Sequence, residues 1–267
     1  MPELPTEEFQ NFLDQNQYTE TGILRYEKIF GRGFVSTGGL ETTKEFVGLL
    51  DLKPGQKVLD VGCGIGGSAF YMYKNYGVDV LAVDLSTNMI RIGQRRAQEE
   101  KCADNVKFAI VDITTANYKP ESFDVIYSRD TILHIADKET LFTNFLKWLK
   151  PGGQLLISDY NRGEQEPSDR FKAYVKQRNY QLVTRKEYGK ILEKVGFTQV
   201  KAEDKTEMFK GVLNRELNET KAIQDEFIKE FTQKDYDDIV GGWSSKLVRI
   251  ADGDQKWGLF RGVKPQQ

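Results

Sequence analysis

Residues 58–67 read VLDVGCGIGG, and this stretch decides the fold. Its first residues form a short apolar run rich in valine, which is typical of a buried strand. The glycines that follow are typical of a tight turn, and residues 68–76 read as a helix beyond it. Glycines at such a junction let a ligand approach bare backbone beside a helix N-terminus. The stretch therefore predicts a strand, a ligand-binding loop and a helix in that order.

The same alternation of strands and helices continues along the chain. Strand-like runs lie at residues 57–61, 78–83, 106–111, 123–127 and 154–158, with helical patterns at 68–76, 88–101 and 137–148 between them. Residues 150–153, KPGG, are predicted to stop the last of these helices and to turn into the next strand. Further strands at 197–202 and 255–263 bring the total to seven. This order predicts an α/β protein with a doubly wound, mostly parallel seven-stranded sheet.

The flanking segments differ from this core. Residues 6–50, 165–195 and 206–240 read as helices and are expected to form a helical lid over the ligand crevice. The core is expected to comprise residues 50–160, 197–203 and 255–263. At about 150 residues per domain, 267 residues make one large domain or two small ones. Because no linker or internal repeat interrupts the pattern, we expect one domain over residues 1–267.

The composition excludes several functional classes. The 38 Lys and Arg residues against 40 Asp and Glu residues give a net charge of −2, which argues against broad nucleic-acid binding. Two cysteines, Cys63 and Cys102, cannot build a disulfide framework, which favours a reducing compartment. The single histidine, His134, excludes a multi-histidine metal site, so we expect no metal.

Membrane insertion and secretion are not expected either. No apolar run approaches the ~20 residues that span a bilayer. Residues 1–12, MPELPTEEFQNF, are acidic and contain no apolar signal-peptide core. We therefore expect a cytoplasmic protein without stable membrane insertion. We also expect a monomer that acts on a small-molecule substrate.

The glycine loop alone leaves the bound nucleotide ambiguous. Asp84 ends the second predicted strand, where a carboxylate can accept both ribose hydroxyls of a nucleotide. The spacing Gly62-x-Gly64-x-x-Gly67 also satisfies the dinucleotide fingerprint. Three alternatives remain at this point: a nicotinamide-dependent dehydrogenase, a nucleotide-binding regulatory protein without catalysis, and a purely structural turn.

Several motifs in order resemble the S-adenosylmethionine-dependent methyltransferases with a Rossmann-like sheet. They are the glycine loop with Asp60 before it, Asp84, residues 112–113 after the third strand, and the KPGG turn. The resemblance covers about residues 50–160. It implies that the glycine loop meets the methionine part of the cofactor, that Asp84 holds the ribose, and that residues 112–113 hold the adenine. The implied cofactor-binding residues are Tyr18, Ser36, Gly62, Gly64, Asp84, Leu85, Asp112, Ile113 and Arg129.

A wider set of motifs is similar to the phosphoethanolamine methyltransferases of protozoa, nematodes and plants. It includes NQYT at residues 16–19, STGGL at 36–40, YSRDTILH at 127–134, FKAYVKQRNY at 171–180 and GGWSSK at 241–246. This resemblance runs over nearly the whole chain. It implies N-methylation of phosphoethanolamine, or of its mono- and dimethyl forms, toward phosphocholine. A methyltransferase that acts on another small amine or on a lipid remains the alternative.

The implied substrate has two chemically different ends. A phosphate requires cations and hydroxyl donors, and the resemblance places Tyr160, Arg178, Tyr180 and Lys246 there. An ammonium group with a pKa of ~10 must lose a proton before its nitrogen accepts a methyl group. The full set of implied substrate-binding residues is Asp130, Tyr160, Tyr174, Arg178, Tyr180 and Lys246.

The resemblance assigns the proton transfer to a catalytic pair, Tyr18 and His134. His134 lies four residues after Asp130, and one helical turn would place both side chains on one face. Asp130 is expected to hold the ammonium group, and the rings of Tyr18 and Tyr174 are expected to attract the methylated nitrogen. The sequence thus predicts a site that joins a sulfonium cofactor to a small phosphorylated amine.

Overall fold

The computed structural model describes residues 7–12, 14–15 and 18–266. Asn16 and Gln17 of the NQYT motif lie outside the described residues. A seven-stranded sheet forms the centre, in the order β3-β2-β1-β4-β5-β7-β6. The strands are β1 (Lys57–Val61), β2 (Asp79–Asp84), β3 (Val106–Ile110), β4 (Phe123–Arg129), β5 (Leu149–Arg162), β6 (Thr198–Asp204) and β7 (Gln255–Val263). The helices are α1 (Glu7–Phe12), α2 (Glu20–Phe30), α3 (Gly39–Val47), α4 (Gly67–Tyr76), α5 (Thr87–Glu99), α6 (Lys138–Trp148), α7 (Asp169–Gln177), α8 (Arg185–Val195), α9 (Thr206–Ala222), α10 (Gln224–Glu230) and α11 (Gln233–Ala251).

The sheet is doubly wound. Strands β1 to β5 run parallel, whereas β7 runs antiparallel to both of its neighbours, β5 and β6. After β3 the chain crosses to β4 on the other side of β1, so the strand order reverses between the neighbouring strands β1 and β4, which creates a crevice beyond their carboxyl ends. The predicted fold class, a Rossmann-like and mostly parallel seven-stranded sheet with added helices, is confirmed.

Alternating side chains of the central strands build two cores, one on each face of the sheet. Val58 of β1 and Val125 of β4 belong to one core. Leu59 and Ile126, the next residues, belong to the other, together with Phe142 of α6. Because helices cover both faces, these strands read as nearly continuous apolar runs.

Three boundaries differ from the prediction. KPGG does not separate helix from strand, because β5 begins at Leu149, directly after α6. Gly152 lies inside β5 with a φ of 74°, so its left-handed conformation produces an irregularity within the strand. The predicted helical segment 165–195 is interrupted between α7 and α8, and the segment 206–240 forms three helices that continue to Ala251.

The topology brings the residues that follow the central strands to one edge of the sheet. Gly62 follows β1, Asp84 ends β2 and Asp130 follows β4. Helix α9 packs against α2, α11 and β7, so the added helices form a connected layer. In the described chain no helix is both long and apolar enough to cross a bilayer.

Candidate active site

The glycine loop connects β1 to α4 in a conformation that glycine adopts readily. Gly62, Gly64 and Gly66 have φ values of 71°, 54° and 91°. A Cβ on Gly62 would lie 2.0 Å from Oγ1 of Thr131, and a Cβ on Gly64 would lie 2.6 Å from Cγ2 of Val35. The loop is therefore enclosed between the chain that follows β4 and the segment that precedes α3.

Asp84 holds the glycine loop from the end of β2. Its Oδ2 accepts a hydrogen bond from the Gly64 amide at 2.9 Å, and its Oδ1 accepts one from the Ser86 amide at 3.0 Å. Burial raises the pKa of this carboxyl group. The carbonyl oxygen of the next residue, Leu85, accepts a hydrogen bond from Nε2 of Gln10 at 2.6 Å. The N-terminal segment thus lies against the edge where the ribose is predicted.

Asp60 is a site residue that the sequence analysis named only as part of a motif. Its side chain is buried, and its Oδ2 has no hydrogen-bond partner among the residues that the structure describes. Burial, together with the charge of Asp84, raises the pKa of Asp60 to about 7, while Arg129 opposes this change. A buried carboxylate oxygen without a partner is costly, so a cationic or N–H group bound beside the loop would stabilise it.

The residues predicted at the adenine follow β3. Oδ1 of Asp112 accepts hydrogen bonds from the amide and from Oγ1 of Thr114, at 2.9 and 2.6 Å. Ile113 is 7% exposed and belongs to the same core as Val83 and Val111. Ile113 therefore serves core packing, and the contact of either residue with an adenine stays a prediction.

Arg129, predicted at the cofactor, makes its hydrogen bonds to α3 and to the segment directly before it. Its Nη1 donates to Oγ1 of Thr43 at 2.9 Å and to the Gly39 carbonyl oxygen at 3.3 Å, and its Nη2 donates to the Thr37 carbonyl oxygen. The side chain is buried. Arg129 thus fixes the loop that carries the predicted cofactor residue Ser36, and a direct cofactor contact of either residue stays a prediction.

The predicted substrate residues come together around three tyrosine rings, Tyr160, Tyr174 and Tyr180, which we call the tyrosine cluster. The Tyr180 ring centroid lies 6.4 Å from that of Tyr160 and 5.8 Å from that of Tyr174. The guanidinium of Arg178 lies 5.8 Å from the Tyr180 ring centroid, and the ammonium of Lys246 lies 5.8 Å from that of Tyr160. The structure therefore brings the four predicted phosphate-binding residues together.

Arg249 adds a cation that the sequence analysis missed. Its guanidinium lies 3.7 Å from the Tyr174 ring centroid, and its Nε donates to Oε1 of Gln255 at 2.8 Å. One face of the Tyr174 ring is thus covered and is not open to the methylated nitrogen that was predicted to bind there. The available signal was helical spacing, since Arg249 follows Lys246 by three residues on α11.

Lys246 lies beside a buried carboxylate, which the sequence analysis also missed. Its ammonium is 4.6 Å from a ring of Trp243, whose Nε1 donates to Oε2 of Glu216 at 2.9 Å. Oε1 of Glu216 accepts a hydrogen bond from the Gly38 amide at 2.7 Å. Burial lowers the pKa of Lys246 to about 8, the charge of Glu216 opposes this, and Arg249 adds to it. Glu216 thus connects the tyrosine cluster to the segment before α3.

Asp130 offers a carboxylate oxygen without a partner. Its Oδ1 accepts hydrogen bonds from Nε1 of Trp257 at 2.8 Å and from Oγ of Ser158 at 3.2 Å. Its Oδ2 is buried and has no partner in the part of the chain described here. Burial raises the pKa of Asp130. This oxygen is suited to accept a hydrogen bond from an ammonium group, and the contact itself stays a prediction.

The prediction that Asp130 and His134 share one helical face is wrong. Asp130 has a φ of 51°, which is outside the right-handed helical region. This left-handed residue ends the extended chain of β4, and only a short 3-10 helix, Ile132–His134, follows it. Too few residues remain between them to form an α-helical turn.

His134 borders the tyrosine cluster, and its ring centroid lies 5.2 Å from that of Tyr180. Desolvation by the surrounding chain, followed by the positive charges of Arg178 and Lys138, lowers the pKa of His134 to about 4, although the residue as a whole is exposed. The imidazole is therefore neutral at physiological pH. A neutral ring nitrogen can accept a hydrogen bond or a proton.

Tyr18, the predicted partner of His134, is half-buried and packs against a small apolar cluster that includes Ile65 and Met89. Burial raises its pKa, and the charges of Asp84 and Tyr180 add to this, so its hydroxyl keeps its proton. No hydrogen bond of the described residues joins Tyr18 to His134, but Arg178 lies near both. Among the residues described, no group of three or more His, Cys, Asp or Glu side chains is placed to hold a metal ion.

Comparison with known proteins places this site in a family. A family model described as a methyltransferase domain matches residues 52–211. The phosphoethanolamine N-methyltransferase of Plasmodium falciparum (isolate 3D7) is 38% identical over 258 residues, which are 96% of this chain and 96% of that protein. The chain belongs to the phosphoethanolamine N-methyltransferase family.

Longer members of the phosphoethanolamine N-methyltransferase family are also similar. Phosphoethanolamine N-methyltransferase 1 of Triticum aestivum is 60% identical over 256 residues, covering 96% of this chain and 51% of the wheat protein. A structure of Haemonchus contortus phosphoethanolamine N-methyltransferase 2 with phosphomonomethylethanolamine and S-adenosylhomocysteine has a TM-score of 0.94 at 41% identity, covering 98% of this chain and 62% of that one. The chain thus spans about half the length of its wheat relative.

Proposed function

We propose that the chain is an S-adenosylmethionine-dependent N-methyltransferase of phosphoethanolamine, of its mono- and dimethyl forms, or of all three. Its final product would be phosphocholine. The observation that carries this proposal is the pairing of two cations with a lone carboxylate oxygen. Arg178 and Lys246 border the tyrosine cluster, and Oδ2 of Asp130 lies buried without a hydrogen-bond partner among the described residues. A phosphorylated amine has one end for each of these features.

The donor end of the site fits a sulfonium nucleoside. S-adenosylmethionine supplies an activated methyl group on a positively charged sulfur and carries an amino group beside a carboxylate. The glycine loop and Asp84 would hold it. Oδ2 of Asp60, which has no hydrogen-bond partner among the described residues, would accept a hydrogen bond from its ammonium group. Residues 112–113, together with Tyr18, Ser36, Leu85 and Arg129, complete the proposed cofactor site.

The phosphate end would be held by cations and tyrosine hydroxyls. Arg178 presents a planar fork of donors, and Lys246 presents a compact charge. Tyr160 and Tyr180 add hydroxyl donors from the rings on which these cations lie. A non-phosphorylated amine would bring no anion to Arg178 and Lys246, so the phosphate is the proposed determinant of specificity.

The amine end would be positioned by Asp130 and deprotonated beside His134. Asp130 holds the ammonium form through Oδ2, the oxygen that accepts no hydrogen bond from the described residues, and the neutral imidazole of His134 accepts the proton. Tyr18 keeps its own proton and therefore acts by orienting the nitrogen and closing the site. Transfer ends when the nitrogen carries three methyl groups, because it then has no lone pair.

The proposal is tested by comparing acceptors under one assay for methyl release. We expect phosphoethanolamine or its methylated forms to be consumed and ethanolamine to be consumed at least about 100-fold less efficiently, since two charge-assisted contacts are lost. Lys246→Met should raise the KM for the phosphorylated acceptor. Lys234→Met, on the same helix but exposed and paired with Asp238, serves as the matched control.

Each alternative predicts a different result. Equal use of ethanolamine and phosphoethanolamine would favour another small amine or a lipid as the substrate. Cofactor binding without methyl release would favour a regulatory protein, and binding of a nicotinamide nucleotide would favour a dehydrogenase. We also propose that residues 1–267 act as one catalytic domain, as a monomer in the cytoplasm, which sedimentation analysis and localisation of the tagged protein would check.

A further inference from the structure

Lys138 is the first residue of α6, yet its side chain is only 3% exposed. Its ammonium donates three hydrogen bonds, to the carbonyl oxygens of Ile132, Ile135 and Gln181, at 3.0, 2.7 and 2.8 Å. An ammonium group has three donors, so all of them are used within the protein. Lysine is almost never buried to this extent unless its charge has partners. The burial of Lys138 with three such partners indicates a specific role.

The three acceptors belong to two separate segments that border the tyrosine cluster. One carbonyl group belongs to the first residue of the short helix that ends in His134, and the second belongs to the residue directly after that helix. The third belongs to Gln181, directly after Tyr180. The amide of Gln181 also donates to the Leu133 carbonyl oxygen at 2.7 Å. The segment with the proposed base is thus tied to the segment with proposed phosphate-binding residues.

A buried carboxylate, that of Asp159, also binds the segment that carries His134. Asp159 accepts hydrogen bonds from the Leu133 amide at 3.2 Å and from the Tyr188 hydroxyl at 3.3 Å. Burial raises the pKa of Asp159, and the positive charge of Lys138 opposes this. Burial lowers the pKa of Lys138, and Asp159 opposes that change in turn. Each group therefore opposes the neutralisation that burial favours in the other.

We propose that Lys138 is a positioning residue for methyl transfer, which sets the distance between His134 and the phosphate-binding residues Arg178 and Tyr180. The inference rests on the proposed function and deepens it. Without Lys138, the two segments lose their shared cation and can separate. The glycine loop and Asp84, on β1 and β2, do not depend on it, so cofactor affinity should be retained.

Three variants separate positioning from stability. Lys138→Met removes the donors and the charge while keeping the length of the side chain. Lys147→Met makes the same change at an exposed position of α6 and is the matched control. The double variant Lys138→Met/Asp159→Asn also removes the buried carboxylate, so it should recover part of the melting temperature that the single variant loses, while the three carbonyl groups still lack the ammonium donor.

We expect kcat/KM for the phosphorylated acceptor to fall about 100-fold in Lys138→Met, the scale of loss when a reacting group is misplaced by about 1 Å. The Kd for S-adenosylmethionine, measured by calorimetry, should stay within about twofold. The double variant should regain part of its melting temperature but not its kcat/KM. Recovery of both would overturn the proposal, because Lys138 would then act only as half of a structural ion pair. Wild-type turnover in Lys138→Met would overturn it as well.

The single histidine provides a readout that does not depend on catalysis. In protein freed of any purification tag, NMR titration follows only His134. The groups that face His134 are the Tyr180 ring, Arg178 and Lys138. Lys138→Met should raise the pKa of His134, because a nearby positive charge is lost, and Lys147→Met should not. An unchanged pKa in Lys138→Met would overturn the proposal. If the wild type consumed no phosphorylated amine, the proposed function would fail separately. This titration would still test whether Lys138 connects the segment of His134 to the segment of Arg178 and Tyr180.

Discussion

Replacing Glu216 with glutamine tests the connection between the substrate and cofactor sides of the site. The Glu216 carboxylate is 2% exposed and accepts two N–H groups, from Gly38 at 2.7 Å and from Trp243 at 2.9 Å. A glutamine amide has one acceptor oxygen and presents NH2 donors in place of the other. Glu216→Gln therefore keeps one hydrogen bond and leaves the second N–H group facing a donor.

The expected loss of stability follows from that geometry. A hydrogen bond to a charged group contributes about 1.5–3 kcal/mol, and a buried N–H group without an acceptor costs a similar amount. We therefore expect a loss of about 2–3 kcal/mol. For a protein of this size each kcal/mol lowers Tm by about 2–4 °C, which gives a decrease of roughly 4–12 °C.

The effect on the substrate comes through Lys246. Glu216 is the nearby anion that most favours the charged form of Lys246, whose pKa is already lowered to about 8 by burial. Without this anion the lysine becomes neutral at lower pH. If it is fully neutral, one charge-assisted hydrogen bond of about 1.5–3 kcal/mol is lost, and KM for the phosphorylated acceptor rises roughly 10- to 100-fold.

The assay compares Tm, KM and the Kd for S-adenosylmethionine in Glu216→Gln and in Glu219→Gln. Glu219 lies exposed on the same helix and provides the matched control. We expect the rise in KM to be larger at pH 8 than at pH 6.5, because protonation restores the charge of Lys246 at lower pH. A rise in KM that is equal at both pH values would refute the link to Lys246. An unchanged Tm would refute the expected loss of stability from the Glu216 hydrogen bonds.

Three further predictions concern single groups of the site. His134→Ala should lower kcat at least about 100-fold with the cofactor Kd within about twofold, and rapid turnover by this variant would remove His134 as the base. In the wild type, KM for the phosphorylated acceptor should rise above about pH 8, where the buried ammonium of Lys246 loses its proton, whereas a KM that stays constant to pH 9.5 would contradict that role. Gly62→Ala should abolish cofactor binding, because its Cβ would lie 2.0 Å from Oγ1 of Thr131. Gly55→Ala has a similar φ of 79° with nothing within 4 Å, so it tests the backbone strain alone.

The fold was predictable because its signals are local. Apolar runs such as residues 78–83 have the length and the β-branched content of buried strands, and the glycine loop marks a strand end. The first and last strands were predicted with the observed bounds. The errors arose where backbone conformation departs from residue preference, as at Asp130 and Gly152, because a sequence pattern does not contain a φ value.

The chemical identity of the site was predictable only where motifs carry it. Glu216 and Gly38 are 178 residues apart in the chain, and Glu216 and Trp243 are 27 apart. Lys138 reads as an ordinary first residue of a helix. Its three acceptors are backbone carbonyl groups, which every residue type carries, so the sequence does not reveal them. Buried polar connections of this kind depend on tertiary packing, which residue spacing alone does not determine.

The charges of the pocket suggest why the phosphate matters beyond affinity. Arg178 lowers the pKa of both Lys246 and His134, and Arg249 lowers that of Lys246 as well. A phosphate bound to Arg178 neutralises this shared source of positive charge, so it raises both pKa values. Lys246 then holds its proton more firmly, and His134 becomes a stronger base. An amine without a phosphate would reach the same place but would leave the imidazole at its lowered pKa. Specificity for a phosphorylated amine would therefore act on proton transfer as well as on binding.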